Sequence, residues 1–356
     1  MKNTQYCYKI KMKRIIYPIL SLFCLCATLM AANCILIPKH TGKSLDGSLI
    51  DDYYAERDAQ RAHQVIFVGD CEVYESFVPA ILWERYGITS YVRGSPGQTV
   101  WQSYYLLCEM LESERPKAVV FNVYALKHGE AQSEAYNRLT LDGMRMSNYK
   151  MDAVRESITE GESELSYVFP LLRYHGRWSE LEGDDFKYAF AAKTVSHNGY
   201  LLRVGAVPMT EAQIGDTLLD DNLPERSMEY LDKIKSLCDS VGAELILVKS
   251  PTNTWKYWWY DEWDAQVESF ACERNISYYN FIGDDGVGID WQTDTYDGGA
   301  HLNVYGAEKL TERFGDILST IHGVEDKSAD VATSKIWEEK LEYYYFEKSR
   351  AEDEAS

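Results

Sequence analysis

The stretch VIFVGDCEVYESF, residues 65–77, joins four consecutive large apolar residues to a Gly-Asp turn and then to a helix-like run. A short wholly apolar run has no polar face to offer water, so it reads as a strand buried on both sides, as in a parallel sheet. The turn after it exposes its third residue, Cys71, at the start of a helix. Working outward, the same alternation recurs. FVPAILWERYG (77–87) reads as a helix, ITSYVRG (88–94) as a strand, and Thr99 to Ser113 as a helix. KAVVFNVY (117–124), AELILVKS (243–250) and ISYYNFI (276–282) read as strands. The helices PERSMEYLDKIKSLCDSVG (224–242), DEWDAQVESFACERN (261–275) and Asn303 to Ile321 complete the set. Strands alternating with helices of this length call for an α/β fold. The expectation is a flavodoxin-like parallel sheet of about five strands with helices on both faces and right-handed crossovers.

Residues 125–224 interrupt this rhythm for too long to be a plain loop. They read as an insertion, helical around 140–160 and 177–190, covering the carboxyl edge of the sheet, where ligands bind in open α/β sheets. Residues 38–63 read as a polar stalk, 64–322 as the α/β domain, and 323–356 as an acidic tail that is a solvated helix or a partly disordered end.

The chain has 356 residues, 36 Lys+Arg and 56 Asp+Glu, for a formal net charge of −20. Such acidity argues against a nucleic-acid partner, because phosphate binding needs clustered cations. The charge is divided. No acid precedes Asp46, while seven bases do (Lys2, Lys9, Lys11, Lys13, Arg14, Lys39, Lys43), so the remainder carries −27. Between lies an uncharged run, Ile15 to Ile37, long enough to cross a bilayer. The five positive charges before it predict a cytoplasmic segment 1–14, a signal anchor at 15–37 and an exported main domain. A cleaved signal peptide fits less well, since Met30-Ala31-Ala32 is a poor small-x-small site and apolar residues continue beyond it. Asn33 before Cys34 likewise fails a lipoprotein site.

Cys7, Cys24, Cys26 and Cys34 lie in or beside the apolar run. Cys108, Cys238 and Cys272 sit in helix-like stretches as core thiols, and the spacing of the eight cysteines points to neither a metal site nor a disulfide framework. No cofactor is called for. Three pieces stand at predicted strand ends: Gly69-Asp70-Cys71, the turn Gly94-Ser-Pro-Gly97-Gln-Thr99, and Asp297-Gly-Gly-Ala-His301 before the last helix. They supply a thiol, a small-residue turn, a carboxylate and an imidazole.

In these blocks, and in GSPGQTVWQSYYLL, FPLLRYHGRW and DGGAHLNVYGAEKLT, the chain resembles the SGNH/GDSL hydrolases, and more narrowly their membrane-anchored bacterial relatives. The resemblance spans roughly residues 64–322. It implies a nucleophile at Cys71, a base at His301 oriented by Asp297, and an oxyanion hole from the N–H groups of Cys71 and Gly97. Cys71 replaces the family's Ser. Asp297 stands four residues before His301 rather than three, leaving Asp294 as an alternative partner. Tyr124-Ala125-Leu126 occupies the place of the family's oxyanion Asn. Asp70 and Glu72 flank the thiol and disfavour its ionisation.

Two further clusters carry alternatives. Arg173, His175, Arg177 and Trp178 suit a sugar or anionic envelope polymer, or else dock an insertion helix through ion pairs. Trp255, Tyr257, Trp258, Trp259, Tyr260 and Trp263 form an aromatic wall or ordinary packing. The implied function is an acyl esterase or O-acyltransferase acting on an envelope or exported polysaccharide, or on a small acyl ester. The competing expectation is a catalytically inactive relative that binds glycan or scaffolds an envelope-assembly system.

Overall fold

The computed structural model describes residues 2–39, 53–190, 196–209, 218, 220–253 and 259–355, with side chains from Met12 onward. The elements are α1 (Lys2–Leu36), α2 (Tyr53–Asp58), β1 (Val65–Gly69), α3 (Cys71–Ser76), α4 (Pro79–Tyr86), β2 (Ser90–Gly94), α5 (Val100–Leu111) and β3 (Ala118–Asn122). After a 3-10 turn at Val123–Lys127 come α6 (Glu134–Leu141), α7 (Asn148–Ser157), α8 (Glu164–Val168) and α9 (Leu171–Tyr174). A second 3-10 turn (His175–Ser179) leads to α10 (Gly183–Lys187), α11 (Glu225–Val241) and β4 (Glu244–Lys249). The chain then forms α12 (Asp261–Arg274), β5 (Ser277–Asn280), α13 (Val304–Thr320) and α14 (Val331–Ala355).

The five strands pair in the order β2-β1-β3-β4-β5, all parallel. This is the flavodoxin-like doubly wound order, with its switch point between β1 and β3. Alternation along each strand divides the core in two. Val65, Phe67, Val92, Ala118, Val120, Ile246 and Val248 pack with α3, α4 and α13, while Ile66, Val68, Tyr91, Val119, Phe121, Leu245 and Leu247 pack with α5, α11 and α12. Both faces of the sheet are therefore buried, which is why its strands read as continuous apolar runs. β5 is partly exposed throughout, as an edge strand must be.

Caps fix where the helices begin and end. Gly87 takes the left-handed conformation after α4 and donates to Leu82 and Trp83 carbonyls. Thr99 and Gln102 form a capping box on α5. Phe77 stacks on Phe67 with centroids 4.6 Å apart and meets Phe314 at 5.4 Å, locking the end of α3 to both β1 and α13. The Val78 N–H donates to Thr311 Oγ1, at 2.9 Å. These contacts fix the two helices whose starts carry Cys71 and follow His301.

Several boundaries differ from the sequence reading. The stalk ends earlier than Gln64: α2 buries Tyr53 and Tyr54 completely in the domain core, and residues 40–52 lie outside the described residues. The tail is neither disordered nor merely solvated. α14 buries Trp337, Lys340 and Tyr344, with Trp337 stacked on Trp83 at 5.7 Å and Lys340 Nζ 2.7 Å from Glu56. Cys238 is buried as expected, but Cys108 is only partly buried and Cys272 is exposed on the outer side of α12.

The chain divides into two compact units, one of residues 1–39 with 165–191, the other of 40–164 with 192–356. The insertion is thus shared between them. Its helices at 134–141 and 148–157 belong to the α/β unit, and the region read as helical at 177–190 holds only a 3-10 turn and the five-residue α10. In the first unit, α1 carries one span long and apolar enough to cross a membrane, Met12–Leu36.

Candidate active site

β1 ends in Gly69, whose φ of +151° lies in a region open to glycine, and a Cβ there would come 3.0 Å from the Cβ of Asn122. The bare glycine lets the chain turn tightly over the end of β3 and enter α3 at once. Asp70 caps that helix, its Oδ1 accepting from the Glu72 N–H at 3.4 Å. Cys71 is the first residue of α3 and is partly buried.

On the other side, Asn303 caps α13 by accepting the N–H groups of Tyr305 and Gly306. The loop before it holds Gly298 and Gly299 at φ of +83° and +103°, conformations that side chains resist. The two glycines absorb the extra residue between Asp297 and His301. Asp297 Oδ1 accepts from the His301 N–H at 2.9 Å, and Oδ2 stands 2.6 Å from His301 Nδ1. His301 Nε2 lies 3.2 Å from Cys71 Sγ. Thiol, imidazole and carboxylate are therefore in line, across 230 residues of sequence. Asp294 serves another purpose: it is buried, accepts the Asp290 N–H and pairs with Lys309 at 2.6 Å.

A fourth group was not singled out in the sequence. Glu75 sits one helical turn after Cys71, on the same face of α3. It is 3% exposed; its Oε1 accepts from Tyr296 Oη at 2.8 Å, and its Oε2, which has no hydrogen-bond partner among the described residues, lies 3.8 Å from His301 Nε2. Tyr296 stacks on the His301 ring with centroids 6.0 Å apart. The i to i+4 spacing of Cys71 and Glu75 was the available signal.

Burial pushes the Cys71 thiol up to about 12, reinforced by the charges of Asp70 and Glu75 and opposed by His301. Burial also lifts the Glu75 carboxyl to about 7, against the pull of His301 and Tyr296. His301 is held well above its ordinary value: burial disfavours its charge, but Cys71, Asp297 and Glu75 together outweigh burial. Asp297 is held low, because its bonds to His301 outweigh burial. Glu72, expected to act on the thiol, instead has its charge met by Lys249 Nζ at 2.7 and 2.9 Å in a fully buried pair. Held this high, the Cys71 thiol is protonated at neutral pH.

The remaining candidates fall as follows. Gly97 has φ of +63° in the turn after β2, with the ring of Tyr136 filling the space a side chain would need. Asn122 is committed elsewhere: Oδ1 accepts from the Tyr124 N–H and Nδ2 donates to Ser250 Oγ at 2.9 Å. Residues 123–127 form the 3-10 turn, with Lys127 Nζ 3.4 Å above the Tyr124 ring. Arg173, His175, Arg177 and Trp178 belong to the unit of α1, not to the unit that holds Cys71. Arg177 pairs with Asp185 at 2.8 and 3.1 Å. Of the aromatic cluster, Trp255, Tyr257 and Trp258 lie outside the described residues. Trp259 is buried and packs edge-on against the partly buried Trp263, which Tyr260, also partly buried, meets edge-on. Among the described residues, no group of three or more His, Cys, Asp or Glu side chains is arranged to hold a metal ion.

No protein-family profile matches the sequence, and no curated protein matches it. Among solved structures, the chain is similar to a Bacteroides fragilis protein provisionally described as an acylhydrolase, at 12% identity and a TM-score of 0.36. That likeness covers 80% of this chain and 100% of the other. It is also similar to a GDSL-like lipase of Bacteroides thetaiotaomicron, at 12% identity and a TM-score of 0.34, covering 75% and 98%. At these TM-scores neither likeness bears on the chemistry of the site, which rests on its own geometry.

Proposed function

We propose that the protein is a membrane-anchored, SGNH-like acyl esterase or O-acyltransferase that works through Cys71, His301 and Asp297. The observation that carries this reading is the 3.2 Å approach of Cys71 Sγ to His301 Nε2, with Asp297 Oδ2 2.6 Å behind the same ring. Nucleophile, base and orienting carboxylate in hydrogen-bond reach are what acyl transfer requires.

In the proposed cycle Cys71 Sγ attacks the ester carbonyl carbon and its proton passes to His301 Nε2. Asp297 keeps the ring in the tautomer whose unprotonated Nε2 accepts the thiol proton. Collapse of the tetrahedral intermediate breaks the carbon–oxygen bond, His301 returns the proton to the leaving alcohol, and the acyl group remains as a thioester on Cys71. Water, or the hydroxyl of an acceptor, then attacks with His301 again as base. The N–H groups of Cys71 and Gly97 would hold the oxyanion. Glu75 is a positioning residue in this scheme: its carboxylate steadies the imidazolium once the proton has moved.

The apolar span of α1 and the basic residues before it support an anchor with the main domain outside the cytoplasm. An envelope or exported polysaccharide ester is the substrate class we assign to that location. The raised thiol and the absence of an Asn at the 3-10 turn favour the rival reading, an inactive relative that binds glycan. Hydrolysis of p-nitrophenyl acetate by the full chain in lipid nanodiscs separates the two. Activity abolished by Cys71→Ala and by His301→Ala supports the esterase; activity indifferent to both rejects this site, and none at any pH supports the inactive binder.

A further inference from the structure

We propose that residues 165–190 form a membrane-interface collar, seated in the headgroup layer where α1 leaves the bilayer, with their exposed apolar side chains in contact with lipid. The inference rests on α1 as a membrane span. About 20 helical residues cross a hydrocarbon core roughly 30 Å thick. Counted from Ile15, which follows the charged pair Lys13-Arg14, the far boundary falls near residue 34.

The segment is attached at that depth. The Leu171 N–H donates to Asn33 Oδ1 at 2.9 Å, and Arg177 Nη1 donates to the Leu36 carbonyl at 3.2 Å. Both bonds answer a need of the helix end. An Asn side chain at the hydrocarbon boundary lacks water, and a carbonyl of the last turn lacks an intrahelical donor. Lys39 Nζ meets two more carbonyls, those of Cys34 and Ile37. The pattern of exposure along α1 agrees: residues 12–30 are bare, whereas 31–39 are partly or fully covered. The interfacial layer adds only about 5–8 Å beyond the hydrocarbon. A segment bonded to residues 33 and 36 therefore has to lie in or against it.

Its surface suits that layer. Leu165, Phe169, Leu172, Trp178, Phe186 and Phe190 are each more than half exposed, Trp178 and Phe190 at 71% and 74%. Six large apolar side chains within 26 residues are a heavy load for a segment facing water alone. Arg173 and Lys187 are exposed beside them, as are Glu180 and Glu182, so it is the aromatic side chains that match the usual composition of an interfacial segment. The bidentate Arg177–Asp185 pair ties α10 to the turn that carries Trp178, holding the collar together from within. The cationic and aromatic cluster, for which the sequence left a sugar site and ion-pair docking both open, is on this account a lipid contact.

The test places a photoreactive benzoylphenylalanine at residue 23, 178 or 190 of the full chain in phosphatidylcholine–phosphatidylglycerol nanodiscs. Phe23 is 68% exposed within the span and reports on α1 itself. Lipid acyl-chain adducts at all three positions are expected. Adducts at 23 with none at 178 and 190 would overturn the collar while leaving the anchor standing. No adduct at 23 would reject the span, and the collar with it.

Discussion

Glu75 Oε2 and Cys71 Sγ approach the same atom, His301 Nε2, at 3.8 and 3.2 Å. Two side chains one turn apart on α3 thus share one imidazole nitrogen. When Glu75 is ionised, its charge favours the imidazolium and disfavours the thiolate.

Replacing Glu75 by Gln keeps the shape and removes that charge. The imidazole then gives up its proton at lower pH, and the thiol ionises more readily. Attack requires neutral His301, so kcat/KM in the native protein rises with pH through a limb lying above the ordinary histidine range. In Glu75→Gln that limb moves to lower pH, and alkylation of Cys71 by iodoacetamide at pH 8 accelerates about tenfold per unit of pKa lost. Peptide mass spectrometry follows Cys71 apart from the other thiols. An unchanged alkylation profile would remove Glu75 from the site's electrostatics.

Because burial keeps the Cys71 thiol protonated, the proposed cycle uses it as a serine enzyme uses a hydroxyl. Cys71→Ser should therefore retain ester hydrolysis, within about 10- to 100-fold of the native rate and still dependent on His301. Total loss in Cys71→Ser, with the fold intact by circular dichroism, would instead indicate a thiolate nucleophile.

Asp297 and Asp294 were both candidates for orienting His301, and they should separate cleanly. Asp297→Asn removes the acceptor of Nδ1 and is expected to lower kcat by about 10²- to 10⁴-fold, by analogy with triad carboxylates elsewhere. Asp294→Asn breaks the pair with Lys309 and the bond from the Asp290 N–H, so its cost falls on thermal stability, with the pH profile of kcat unmoved.

The tail helix offers a test of folding. Lys340 Nζ is buried between Glu56 Oε2 at 2.7 Å and Asn198 Oδ1 at 2.6 Å. Lys340→Met removes one partner of the Glu56 carboxylate, which keeps Arg61 at 2.8 Å and His63 at 3.8 Å, at a cost of about 1–3 kcal/mol, read as a lower melting temperature. In the native protein, burial disfavours the Glu56 charge, but His63 and Lys340 outweigh it and hold its pKa near 2. A depressed carboxylate stabilises the fold above its unfolded value and loses that contribution as pH falls toward the folded value. Acid destabilisation between about pH 4.5 and 2 should therefore be weaker in Lys340→Met than in the native chain.

Much of the fold was legible because both faces of the sheet are buried: VIFV, AVVF and LILV carry no polar residue to obscure them. The α14 helix was harder, since Trp337, Lys340 and Tyr344 are a buried stripe within a highly charged run, and a buried lysine breaks the apolar period. α2 is six residues long, too short for periodicity to register. At the site, Cys71 and His301 were found from their positions at strand and helix ends. Asp297 was obscured by its spacing, which only two glycines at positive φ make workable. Glu75 was missed because burial, not sequence, turns an ordinary helix carboxylate into a neighbour of the imidazole.

The central claim is that Cys71 carries the acyl group. The most direct measurement is mass spectrometry of the Cys71 peptide after brief exposure of the full chain to p-nitrophenyl acetate and an acid quench. The account predicts an acetyl thioester on Cys71, discharged by hydroxylamine and absent in His301→Ala. Turnover of the ester with no acetyl on Cys71 at any time, or equal acetylation in His301→Ala, would contradict it.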